Sequence, residues 1–129
     1  MPLMILVNFT HPITPDQFRS IEELLGRPVS RLVEVKVHFN QGSPFQAQVN
    51  DIVEAANLTG AEWQSEPILV NPPSLAPITA LLIAELHGRM GYFPPLIRLR
   101  PVAGATPPRF ELAEILRLQE VRDLARAKR

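Results

Sequence analysis

The sequence contains no cysteine, which excludes a disulfide framework, a zinc knuckle and a thiol nucleophile. It has no excess of charge of one sign. Thirteen Lys and Arg stand against thirteen Asp and Glu, so long-range attraction to duplex DNA or to an anionic bilayer is not expected. Long apolar runs are also missing. The stretch from Met1 to Phe9 has no basic region before it and is too short for a signal peptide, and the longest later run, Ile78 to Ile83, falls far below a membrane span. A cytoplasmic protein is expected, with neither membrane nor duplex DNA as partner. No GxGxxG fingerprint, GxxxxGK[ST] loop or GxSxG elbow occurs. His11, His38 and His87 lie far apart without HxxxH or carboxylate spacing, so neither a metal site nor a cofactor is expected.

What is present is one domain's worth of chain, 129 residues of which 46% are hydrophobic. The 14 prolines fall singly or in pairs and read as punctuation between elements. Leu3 to Phe9 is a continuous apolar run, the pattern of a strand covered on both faces. Thr14-Pro15-Asp16-Gln17 then opens a helix with a capping box and a proline at its first position, and Gly26 and Pro28 stop it.

The unit repeats. Leu32 to Phe39 alternates as a strand, Ser43-Pro44-Phe45-Gln46 has the form of a second capping box, and Thr59-Gly60-Ala61-Glu62 can cap an extra turn carrying Trp63. Ile68-Leu69-Val70 is a third strand, Asn71-Pro72-Pro73 a turn, and Ser74 the expected cap of a helix running to about Arg89. Leu96 to Arg100 alternates as a fourth strand. The stretch from residue 109 to 116 reads either as an antiparallel fifth strand or as the start of a helix, with the strand favoured because the Pro107-Pro108 pair and the short loop suit a hairpin. Successive strand–helix units dictate a Rossmann-like α/β fold: a mostly parallel sheet of four to five strands with helices on both faces.

Ligands of open α/β sheets bind outside the carboxyl ends of the strands, where strand order reverses. If strands one and three are neighbours, Asn8, Thr10 and His11 come beside Asn71, Pro72, Pro73 and Ser74. Both loops feed helix N-termini, whose free N–H groups favour anions. Strand-end asparagines also close turns through side-chain to backbone bonds, and Ser74 also reads simply as a cap. Arg98 and Arg100, two apart on one strand face, can together hold a phosphate or form a solvated edge. The mixed charges from Arg117 to Arg129 suit a solvated or dimer-flanking helix.

Three segments, Leu6 to Pro15, Leu69 to Pro77 and Ala84 to Gly91, together resemble a small CRISPR-associated accessory family of the Csx type found in type III loci. The likeness runs through essentially the whole chain and takes in Arg98-Leu99-Arg100-Pro101. Such proteins are related to the CARF Rossmann-like sensors. The resemblance implies a homodimer that binds a cyclic oligoadenylate messenger, cyclic tetra-adenylate, across its two-fold axis. Some relatives are ring nucleases and others only bind. His11, Arg98 and Arg100 are the groups available for cleavage, and none matches a defined catalytic motif, so the catalytic residues stay unassigned. A binder that sequesters the messenger is therefore expected. The alternatives are a metal-independent ring nuclease and a protein-interaction subunit without a nucleotide site.

Overall fold

A computed structural model describes residues 3–129. Two of its interior strands, β1 (Ile5–Asn8) and β3 (Ile68–Asn71), are the same tetrapeptide, Ile-Leu-Val-Asn, with every residue buried. They pair parallel and in register, so that Ile5 meets Ile68 and Asn8 meets Asn71. On the other side of β1 lies β2 (Arg31–Glu34), also parallel. Beyond β3 come β4 (Leu96–Pro101), parallel, and β5 (Phe110–Leu116), antiparallel to β4. The order is β2-β1-β3-β4-β5. This is the Rossmann-like α/β sheet anticipated, with strands one and three adjacent and residues 110–116 a strand.

Alternation along each strand splits the apolar residues into two layers. Ile5, Val7, Ile68, Val70 and Leu96 face one side, where they pack with α2 (Phe45–Ala55), α3 (Gly60–Ser65) and α4 (Ala76–Met90). Leu6, Leu69 and Ile97 face the other and meet Ile21 and Leu25 of α1 (Pro15–Leu25). The helices lie on both faces but unequally, three against one. The last helix, α5 (Leu118–Arg126), buries none of its residues. Among the described residues no helix is long and apolar enough to cross a membrane.

The caps decide where the helices begin. Thr14 accepts from the Gln17 N–H while Gln17 Oε1 accepts from the Thr14 N–H, and Gly26, at φ 70°, ends α1. Thr59 and Glu62 make the same reciprocal pair for α3. The other two starts differ from expectation. Ser43 does not cap α2, whose N-cap is Pro44 without a side-chain bond. The preceding loop is closed instead by Asn40 Oδ1, which accepts from the Gly42 N–H, and by Gln48, which accepts from the Asn40 N–H and donates to the carbonyls of Asn40, Ser43 and Pro44. Ser74 does not cap α4 either. The helix starts two residues later, after Leu75, with Pro77 in its first turn, and the Thr79 hydroxyl ties back to the Pro73 carbonyl at 2.6 Å.

The strand expected from Leu32 to Phe39 pairs only over Arg31–Glu34. Its partner β1 ends at Asn8, where the last contact is the Val35 N–H donated to the Asn8 carbonyl. From there the Phe9 N–H turns to the Asn71 carbonyl. The alternation nonetheless continues. Val35, Val37 and Phe39 stay on the α2–α4 core, which leaves Lys36 and His38 exposed on the opposite side.

Candidate functional site at the carboxyl edge of the sheet

The register places Glu34, Asn8 and Asn71 in one row across β2, β1 and β3, at the last paired position of each. Asn8 sits at the centre with no exposed surface. Its Nδ2 donates to Glu34 Oε2 at 2.6 Å and to the His11 carbonyl at 2.8 Å. Its Oδ1 accepts from the Thr10 N–H at 3.1 Å and from Asn71 Nδ2 at 2.9 Å. An amide offers two donors and two acceptor lone pairs, and here all four are used within the protein. Asn8 therefore shapes the β1–α1 loop and does not reach a ligand, which corrects its expected role as a contact residue. Asn71, 4% exposed, supports Asn8 from β3 while also lining a cavity.

The loop that Asn8 fastens, Thr10-His11-Pro12, forms a shared wall between two cavities. The larger, about 600 Å³, opens toward the segment after β2 and is lined there by Lys36, Val37, His38 and Phe39. The smaller, about 440 Å³, opens toward β4 and β5, where Ile97, Arg98, Leu99 and Phe110 line it with Gln17 of α1. Pro73 and Ser74, from the β3–α4 loop, line both. The two cavities form one cleft along the carboxyl edge. Because Ser74 does not cap α4, its hydroxyl makes no hydrogen bond among the described residues and is left for the cleft.

Six of the eight residues expected at the site line the β4 side together: Thr10, His11, Asn71, Pro72, Ser74 and Arg98. Asn8 lies beneath them. Arg100 lines neither cavity. The two arginines do share a strand face, but each is matched across the hairpin by a β5 carboxylate. Arg98 Nε and Nη2 reach Glu114 Oε2 at 2.7 and 2.5 Å, and Arg100 Nε lies 3.6 Å from Glu111. The expected joint phosphate clamp is therefore corrected to two cross-strand ion pairs, of which only Arg98 borders the cleft.

Lys36, His38, Gln17 and Phe110 are lining residues that sequence reasoning missed. The signal for Lys36 and His38 was the polar half of the alternating run that begins at Leu32, which continues past the strand end. Nothing local marks Gln17 and Phe110. They meet because Gln17 Nε2 donates to the Phe110 carbonyl at 3.0 Å, across 93 residues of chain.

The charge of the lining has one sign. His11, Lys36, His38 and Arg98 are its titratable side chains, and neither cavity is lined by an Asp or Glu among the described residues. Lys36 and the two imidazoles have no ion pair or hydrogen bond among the described residues. Nor do those residues hold a group of three or more His, Asp or Glu placed to bind a metal ion.

No protein-family model, no curated protein and no solved structure matches this chain.

Proposed function

We propose that the protein binds a cyclic oligoadenylate, cyclic tetra-adenylate, at the carboxyl-edge cleft and sequesters it, as an accessory protein of type III CRISPR signalling. The observation that carries this reading is a strand-end cleft in which every titratable lining group is cationic or an imidazole. Such a lining favours an anion. The α4 N-terminus adjoins the cleft, since its N-cap, Leu75, lines the β2-side cavity and makes no side-chain cap bond. The apolar lining, with Phe110, Leu99, Pro72 and Pro73, provides faces on which a base can rest. The resemblance of the Leu6–Pro15, Leu69–Pro77 and Ala84–Gly91 segments to the accessory family supports the choice of an oligoadenylate over other anions.

Holding is favoured over cutting by the state of the imidazoles. Ring cleavage needs a ribose 2′-hydroxyl aligned with the adjacent phosphorus and a positioned acid or base. His11 and His38 are exposed, and neither has a hydrogen-bonded partner to orient it among the described residues. The test is incubation with labelled cyclic tetra-adenylate, followed by a native gel and a denaturing separation. Retained label that is recovered as intact ring is the expected result. Multiple-turnover release of linear product would establish the ring nuclease instead, and absence of retention would leave a protein-interaction subunit.

A further inference from the structure

The cleft has two sides with different electrostatics. On the β4 side Arg98 is exposed but already held by Glu114 through two nitrogens, so a phosphate arriving there competes with a carboxylate in place. On the β2 side Lys36 carries a full charge with no partner among the described residues. Its neighbour along that side, Glu34, turns an oxygen toward the buried Asn8 amide. His38 follows Lys36 at the next exposed position of the extended segment, and His11 lines the same cavity from the β1–α1 loop. The three groups come from two chain segments converging on one space of about 600 Å³, which Ser74 completes with an uncommitted hydroxyl.

We propose that this β2-side cavity, with Lys36 as its central charge and His11, His38 and Ser74 as flanking donors, is the phosphate-binding subsite, and that the Arg98 side receives the less charged part of the ligand. The inference rests on the reading of the cleft as a nucleotide site and adds which half grips phosphate. Its ligand class is a phosphodiester or phosphoanhydride oxygen array, recognised by an ammonium with imidazole and hydroxyl groups around it rather than by a planar guanidinium fork. The backbone is prepared for this. Val35, Val37 and Phe39 are anchored in the core, so the residues between them are presented from a fixed stem.

The experiment has two arms. In the first, Lys36→Gln, His38→Gln and Arg98→Gln are compared with the natural chain for retention of labelled cyclic tetra-adenylate. All three positions are exposed, and unchanged thermal melting verifies the fold. Loss of a charge-assisted phosphate contact should weaken retention by roughly 10- to 100-fold for Lys36→Gln. The effect of Arg98→Gln should be only a few-fold, because that guanidinium keeps its carboxylate partner in the parent protein. In the second arm inorganic pyrophosphate is titrated at constant ionic strength while the imidazole NMR signals of His11, His38 and His87 are followed. His11 and His38 should shift, His87 should not, and Lys36→Gln should abolish the response.

If the natural chain fails to retain the ring while pyrophosphate still moves His11 and His38 in a Lys36-dependent way, the oligoadenylate reading falls and the phosphate subsite stands. Undiminished ring retention in Lys36→Gln overturns the subsite and leaves the reading intact. A pyrophosphate response absent from His11 and His38, or unaffected by Lys36→Gln, also overturns it.

Discussion

A strand-end asparagine looks the same in sequence whether it closes a turn or reaches for a ligand. For Asn8 the matter is settled by three side chains or loops that lie 3, 26 and 63 residues away, His11, Glu34 and Asn71, all of them bonded to one amide. The energetic consequence follows from burial. Removing the amide leaves the buried Asn71 Nδ2 and the part-buried Thr10 N–H without their acceptor, at a cost of about 2–3 kcal/mol. Asn8→Ala is therefore expected to lower stability by that amount in urea unfolding. Asn8→Asp should lower it further at neutral pH, because a carboxylate would face the Glu34 oxygen and the His11 carbonyl with no donor for either. A smaller loss for Asp than for Ala would mean that the row across the three strands does not hold the loop. The position of Asn8 and its two candidate roles were thus readable from sequence, but the choice between them was not, since it needs the long-range bonds to Glu34 and Asn71. The same holds for Arg98 and Arg100. Their shared face was evident from their spacing, whereas their β5 partners depended on the hairpin register, which shifts between Arg98 and Leu99.

Among the elements, those closed by local chemistry were the most legible. The boxes at Thr14–Gln17 and Thr59–Glu62 each lie within four residues, and both form. Ser43 and Ser74 offered similar local patterns, but a loop closed by Gln48 and a proline turn followed by Pro77 moved those helix starts downstream. Alternation from Leu32 to Phe39 identified the buried face correctly, yet ladder pairing stopped at Glu34 because the partner strand ended. Period reports which side is buried; it does not report whether a neighbour is there. The α3 box also has a pH signature. Glu62 is held below the usual carboxylate range, first by its hydrogen bond with the Thr59 backbone and then by the Arg31 guanidinium 2.8 Å away, with partial burial opposing both. A carboxylate with a depressed folded-state pKa stabilises the fold above its unfolded value. That contribution is lost as pH falls through the folded value, which lies beneath the ordinary glutamate range. Glu62→Gln keeps the capping geometry but removes the charge. Its unfolding free energy should therefore fall less steeply with acidification than that of the natural chain. Parallel acid limbs for the two would show that the charge on Glu62 contributes nothing.

For the whole molecule, three strand–helix units were enough to anticipate a parallel sheet, whereas the adjacency of β1 and β3, which decides where the loops converge, entered only as a condition and is met by the order β2-β1-β3-β4-β5. The unequal helix layers were not legible, because an apolar helix stripe does not say which face of the sheet it covers. The convergence sets a limit on what one chain can hold. A cyclic tetra-adenylate carries four phosphates, whereas one cleft presents a single unpaired lysine, two imidazoles and an arginine already matched by Glu114. A ring with two-fold symmetry is met more fully by two clefts related by the same symmetry, each gripping one half of its phosphates. On the proposed reading the protein therefore works as a homodimer with one ring between two chains. Native mass spectrometry with sub-stoichiometric ring should show two chains carrying one ligand, and in solution the protein should silence a messenger-activated nuclease up to half its own chain concentration of ring. Lys36→Gln should weaken ring capture without changing the mass of the unliganded protein, since Lys36 belongs to the cleft and not to a core. A complex of one chain with one ring, persisting at high protein concentration, would overturn the dimeric arrangement.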